Sequence, residues 1–235
     1  MAAACGALLL TPVAAHGAVD FGSNLSGTPV GFLNCMGVGC TAWSRTAGSG
    51  SINGVTAPSD GVVTRFTLKK ASLSGGFHWG EIQPRVVQLL SGGAWRGLAL
   101  TAPRVRPTGV PGEETFPTRA PITAGSFLAL ESPPESLAGI FAVRSTSGSG
   151  ILAHSVPSLP ADGSPGSAAE FTGELMMRAR LEPDADRDGF GDETQDGCPS
   201  SAKSQAACPK KKCKKKAKKR AAESKKKKCR KKKRR

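Results

Sequence analysis

Short apolar runs recur along this chain between clusters of Gly, Ser, Thr and Pro. Val62-Val63-Thr64-Arg65-Phe66-Thr67-Leu68, Val86-Val87-Gln88-Leu89-Leu90, Ser126-Phe127-Leu128-Ala129-Leu130 and Ile140-Phe141-Ala142-Val143 are such runs. Between them sit Ser91-Gly92-Gly93, Pro107-Thr108-Gly109 and Ser147-Gly148-Ser149-Gly150, residue types that turn the chain because their φ is either free or fixed. Few stretches go without Gly or Pro long enough to form a helix, whose first turn is unfavourable and needs several more to offset it. Runs this short at this spacing predict an all-β chain, a single antiparallel β-sandwich of jelly-roll type over residues 19–181.

The clearest periodicity comes last. From Glu170 to Glu182 the odd positions are Phe171, Gly173, Leu175, Met177, Ala179 and Leu181. The even ones are Glu170, Thr172, Glu174, Met176, Arg178, Arg180 and Glu182. A two-residue repeat puts the first set on one face and the second on the other, which predicts one strand lying on the core with its back to water.

Charge divides the chain sharply. From Lys203 onward, 20 basic residues face one acid, Glu223, a net of +19, while the preceding residues carry 13 basic and 17 acidic side chains, a net of −4. The overall +15 therefore belongs to the C-terminal segment and not to the fold. Like charge this dense, with almost nothing to bury, predicts disorder for 203–235. Such a segment attaches to polyanions by releasing their counterions, so its affinity should fall steeply with salt. No aromatic side chain interrupts it, which removes base stacking as a mode of recognition. The partners it predicts are anionic polymers: acidic wall polymer, acidic polysaccharide or extracellular DNA. The plainer alternative is a solvated tail without a partner.

Residues 1–18 read as an export signal. Ala2-Ala3-Ala4-Cys5-Gly6-Ala7-Leu8-Leu9-Leu10 is apolar, Pro12 breaks it, and Val13-Ala14-Ala15 offers small residues for cleavage. The stretch is too short and Ala-rich for a membrane span, so the mature chain is expected to have none. The alternative is a buried N-terminal strand or helix. Loss of Cys5 with the signal leaves Cys35, Cys40, Cys198, Cys208, Cys213 and Cys229. An even number in an exported chain predicts disulfides. Proximity in sequence suggests Cys35 with Cys40, Cys198 with Cys208, and Cys213 with Cys229. A zinc site is the alternative, but the chain has no Cys-x-x-Cys pair, and His78 and His154 are its only histidines beyond the signal.

Trp43, Trp79 and Trp95 have two readings, as core filling or as a sugar-stacking platform. Core filling is the favoured reading, because aromatic rings carry so much buried area. Trp79, within Gly75-Gly76-Phe77-His78-Trp79-Gly80, is the best candidate for the platform, since Gly on both sides suggests a loop.

The most specific signal is residues 184–199, Asp-Ala-Asp-Arg-Asp-Gly-Phe-Gly-Asp-Glu-Thr-Gln-Asp-Gly-Cys-Pro. Ca²⁺ takes six to eight oxygens, and a curled loop offers it alternate side chains. Asp184, Asp186 and Asp188 occupy positions 1, 3 and 5 of such a loop, with Gly189 at the sharp turn of position 6. Phe190 would supply a backbone carbonyl and Asp192 a carboxylate, directly or through water. Position 12 is Gln195, and Asp196 follows it as the candidate closing ligand. The stretch resembles a thrombospondin type 3 repeat, over about 16 residues and in a single copy. That resemblance implies bound calcium. The alternative is an acidic, solvated linker over 182–202.

No Gly-x-Ser-x-Gly elbow, His-Glu-x-x-His run or phosphate-cradling Gly loop is present. Glu81 follows His78 by three residues, a coincidence of no chemical weight. The layout also resembles that of secreted bacterial proteins with a Lys-rich C-terminal tail. The expected function is an exported, non-catalytic binding or envelope- and matrix-associated protein, joined through a calcium-stabilised linker to a polycationic tail. A secreted glycan-active enzyme on the same β domain is the alternative. An intracellular nucleic-acid binder of linker-histone type is a third, opposed by the signal, the paired cysteines and the Asp loop.

Overall fold

A computed structural model describes residues 17–33, 35, 37–48, 51–72, 79–135, 140–144 and 150–208. The strands are β1 (Val19–Ser23), β2 (Gly31–Leu33), β3 (Cys40–Thr46), β4 (Ser51–Ile52), β5 (Gly61–Lys70), β6 (Gln83–Leu89), β7 (Trp95–Gly97) and β8 (Gly112–Ile122). They continue with β9 (Phe127–Ser132), β10 (Ile140–Arg144), β11 (Ile151–Ser155), β12 (Pro165–Gly166), β13 (Ala169–Thr172), β14 (Glu174–Leu175) and β15 (Met177–Glu182). Among the described residues there is no helix.

The strands form three antiparallel sheets. One has five strands in the order β4-β1-β15-β5-β8, one has seven in the order β12-β7-β6-β9-β3-β11-β13, and a small one runs β14-β10-β2. The all-β, sandwich-like architecture expected from the short apolar runs is the one observed, and those four runs lie on β5, β6, β9 and β10. The Ser91-Gly92-Gly93 cluster closes the β6–β7 hairpin, where Leu90 N–H donates to Ala94 O at 2.8 Å.

The main core fills the space between the five- and seven-stranded sheets. Phe21, Val63, Phe66, Leu68, Phe116, Met177, Ala179 and Leu181 point in from one side, and Ala42, Val86, Leu128, Leu130 and Leu152 from the other. The alternate residues of the seven-stranded sheet are buried too. Trp43, Val87, Phe127, Ala129 and Ala153 form a second apolar cluster with Trp95 and Leu159 on its far face. Trp95 meets Trp43 edge-on at 4.8 Å and Phe127 at 5.4 Å, the geometry favoured by ring quadrupoles. Arg85, 1% exposed, ties down this outer layer. Its guanidinium donates to the carbonyls of Leu98, Leu159 and Pro160 and to Glu131 Oε2 at 3.2 Å. A buried cation is tolerated when it is paired with a carboxylate and its donors meet carbonyls in this way.

One sequence expectation fails here. The 170–182 segment is not one strand but three, each in a different sheet: β13 pairs with β11, β14 with β10, and β15 with β1 and β5. A chain that changes layers passes through the interior, so neighbours of both parities are covered. Glu174, Leu175 and Met176 are all buried, whereas Phe171, on the edge strand β13, is half exposed. The predicted in-and-out alternation holds from Met177 to Leu181. Trp79 takes the favoured reading of the tryptophans, as core. It is 4% accessible and belongs to the main core, while Trp43 and Trp95 are equally covered. A glycan platform on these three rings has no surface to stand on.

Cys35 is joined to Cys40 and Cys198 to Cys208, as proximity suggested. Cys213 and Cys229 lie outside the described residues, as do residues 1–16 of the expected export signal and the basic segment from 209 onward. Disulfides persist in oxidising compartments, and the two bonds point to such an environment. No helix among the described residues is long and apolar enough to cross a membrane.

Candidate metal centre

The chain leaves β15 at Glu182 and folds back over the outer face of the five-stranded sheet. Glu182 organises this return. Only 1% exposed, it accepts Thr64 Oγ1 at 2.8 Å from β5, Thr194 Oγ1 at 2.7 Å, and the amides of Thr194 and Glu193 at 2.9 and 3.1 Å. Burial alone would raise its pKa, but these four donors outweigh burial and hold the carboxyl below its ordinary value. Gln195 makes a second attachment, donating to Thr118 O of β8 at 2.8 Å. Phe190 makes a third, with its ring under the Arg119 guanidinium at 4.4 Å. Gly191 lies so close to the sheet that a Cβ there would fall 2.5 Å from Thr64 Cγ2. The Asp loop is therefore packed against the sandwich along its length.

Between these attachments the backbone curls tightly. Arg187 and Gly189 both take left-handed conformations, with φ of 61° and 83°, and for Arg187 that costs about 1–2 kcal/mol. The curl turns alternate side chains inward. Ligand atoms of Asp184, Asp186 and Asp188 lie within 4.8 Å of one another. Asp184 accepts the amides of Asp188 and Gly189, both at 3.0 Å, and Asp188 accepts the amide of Phe190 at 2.9 Å and Gln205 Nε2 at 2.9 Å. Asp192 accepts the amide of Ala185. Burial raises its pKa, and the charges of Asp184, Asp186 and Asp196 act in the same direction.

Two groups stand out by having no donor. Both carboxylate oxygens of Asp186 are buried without a hydrogen-bond partner, and so is Oδ2 of Asp196, whose Oδ1 accepts the Cys198 amide at 2.8 Å. An unpartnered buried carboxylate oxygen is costly. At the separations seen here, each pair of carboxylates repels by about 1 kcal/mol if fully hydrated and about 3–4 kcal/mol at an effective dielectric of 20. A hard divalent cation would satisfy the orphaned oxygens and cancel the repulsion together. The residues present fit such an ion.

Of the sequence-predicted ligands, Asp184, Asp186 and Asp188 converge, and Asp192 is coupled through charge to Asp184, Asp186 and Asp196. Phe190 sits in the loop, its ring turned to Arg119. Sequence reasoning left the role of Gln195 at position 12 open. In the fold its amide nitrogen holds β8 and its Oε1 accepts the Gly191 amide at 3.3 Å, so it acts as a brace. The roles of Glu182, Thr64 and Thr194 were not anticipated, and no local motif announces them.

A second group of three metal-type residues, Cys35, Cys40 and His154, also converges among the described residues. Its two sulfurs are bonded to each other, so they are not available as thiolates. His154 is buried beside them, and desolvation lowers its pKa. His78, the other histidine beyond residue 18, lies outside the described residues. Comparison with family models, curated proteins and solved structures gave no match for this chain.

Proposed function

We propose that this is an exported, non-catalytic binding protein of the cell envelope or extracellular matrix. A Ca²⁺ ion in the 184–196 loop clamps the C-terminal end of the β-sandwich, and the basic 203–235 segment attaches the molecule to anionic polymer. The observation that carries the calcium reading is the Asp186 carboxylate, both of whose buried oxygens lack a donor among the converging Asp184, Asp186 and Asp188, with the orphaned Oδ2 of Asp196 beside it in the loop. Asp184, Asp186, Asp188, Asp192 and Asp196 would be the side-chain ligands, with the Phe190 carbonyl completing the set. The bound ion supplies charge neutralisation and rigidity and no reaction step. With Glu182 holding the start of the loop and the Cys198–Cys208 bond holding its end, calcium would fix the point from which the basic segment leaves the sandwich.

Attachment by that segment rests on its charge of +19 and on counterion release, so it discriminates polymers by charge density and not by sequence. An acidic wall polymer or polysaccharide fits this as well as extracellular DNA does. Two measurements test the proposal. Calorimetry of the full chain with Ca²⁺ should show one site, and no heat at millimolar calcium would remove the metal from the account. Binding to immobilised anionic polymer should be compared across a salt series with a version ending at Cys208, which keeps the second disulfide. Loss of binding on truncation, with a steep salt slope for the full chain, is the expected result. Equal binding by the two forms would transfer recognition to the sandwich.

A further inference from the structure

The outward face of the five-stranded sheet carries a row of arginines that the proposed tail attachment and metal loop do not explain. Arg65 of β5 stands directly opposite Arg180 of β15, and one rung along, Arg178 stands opposite Thr67. Thr67 in turn faces Thr115 of β8, and their hydroxyls are 2.8 Å apart. With Asp20 of β1, these side chains line an open depression of about 200 Å³. Like charges directly opposite on adjacent strands destabilise a sheet, so the Arg65–Arg180 juxtaposition needs a counter-charge.

The protein supplies part of one. Arg180 reaches Asp20 at 3.4 Å and Glu193 at 4.0 Å, and Arg178 reaches Glu113 at 3.9 Å. The Arg65 side chain has no hydrogen bond or ion pair among the described residues, and the residue is exposed in the interior of the sheet with Pro117 as its other neighbour. Guanidinium groups present planar, forked donors that match an oxyanion bidentately. Two arginines two residues apart on one strand repeat about every 6.6 Å, a spacing suited to successive charged groups on an extended polymer. No aromatic side chain lines the depression, which leaves the bases of a nucleic acid nothing to stack on.

We infer that Arg65, Arg178 and Arg180 form a binding site for the carboxylate or sulfate groups of a linear acidic polysaccharide, with the Thr67 and Thr115 hydroxyls at its floor. The site lies on the sandwich and is independent of the 203–235 segment. It would give the protein a second, shaped contact with the polymer that the basic segment attracts through charge alone.

The test uses the full chain, oxidised and in calcium, with ¹⁵N-labelled arginine, titrated with digalacturonate at physiological salt. Inorganic sulfate, a neutral disaccharide and a trinucleotide serve as the other arms. Saturable shifts of the Arg65, Arg178 and Arg180 Nε–Hε signals with digalacturonate, at least tenfold weaker in R65Q, are expected. The neutral disaccharide should leave the signals in place, and sulfate should move them only at much higher concentration. Without ligand, R65Q should melt about 1–3 °C higher, because it relieves the like-charge pair. Shifts confined to the Lys-rich segment would overturn the inference, as would undiminished binding by R65Q or tighter binding of the trinucleotide. A lower melting temperature for R65Q would also overturn it, by making Arg65 a structural residue.

Discussion

Replacing Asp186 by Asn separates a metal ligand from a structural acid, because the two roles predict opposite signs. In chelator the side chain brings a negative charge into a cluster whose ligand atoms lie within 4.8 Å, and neither of its oxygens is bonded. Removing that charge relieves repulsion of about 1 kcal/mol per neighbour even with full hydration. With two such neighbours, Asp184 and Asp188, the metal-free variant should therefore be more stable than the parent by about 2 kcal/mol, or about 4–8 °C in melting temperature for a chain of this size. In calcium that advantage is lost. An extracellular-type site with Kd of about 10⁻⁴ M, held at a hundredfold excess of free ion, stabilises the parent by about 2.7 kcal/mol. That corresponds to about 5–11 °C. D186N, short of one charged ligand, should keep only a minor part of that gain. The assay is differential scanning calorimetry of both proteins in chelator and in calcium. If D186N were destabilised equally in both buffers, Asp186 would be an ordinary structural carboxylate and the reasoning from its orphaned oxygens would fail.

Glu182→Gln should destabilise the protein by about 2–3 kcal/mol with or without calcium, since a charged acceptor of four hydrogen bonds is lost. The pH dependence has a definite sign. The Glu182 pKa is held low, so its contribution is full above the ordinary glutamate value and disappears as pH falls through the lowered one, whereas the raised pKa of Asp192 makes metal-free stability fall as pH rises between its ordinary and raised values. Urea melts in chelator across the acid range should show the first slope in the parent and lose it in E182Q. Gln195→Ala should weaken calcium less than tenfold while Asp196→Asn weakens it more, and the reverse order in calorimetry would make Gln195 the closing ligand. Trp79→Ala should cost about 3–5 kcal/mol, as expected for a buried indole, and an unchanged urea midpoint would place that ring outside the core.

Legibility in the sequence followed chain distance. β5, β6 and β9 could be read because their apolar runs are contiguous and bounded by turn residues. β8 could not. Its Phe116, Thr118, Ala120 and Ile122 alternate inward as a strand should, but Pro117 and Pro121 sit between them, and proline removes a ladder donor. β8 is tolerated because it is the edge of its sheet, which no local pattern reveals. Trp79 is ambiguous in the sequence for a related reason. Flanking glycines suggested an exposed loop, yet a loop next to a core can turn its one large ring inward, and area burial favours that.

By itself the sequence determined the fold class, the two short-range disulfides, the concentration of charge in the last segment and the identity of the converging aspartates. Each depends on residues near one another in the chain, where spacing already implies geometry. Tertiary structure decided the rest. The 170–182 segment breaks into three strands because two layers compete for it, and Glu182 becomes a buried anchor because Thr64 comes to lie beneath it from over a hundred residues away. Gln195 becomes a brace because Thr118 O is within reach. Arg65 and Arg180 meet only when β5 pairs with β15. Such roles are set by register between distant strands, and register depends on which faces the whole molecule can bury together.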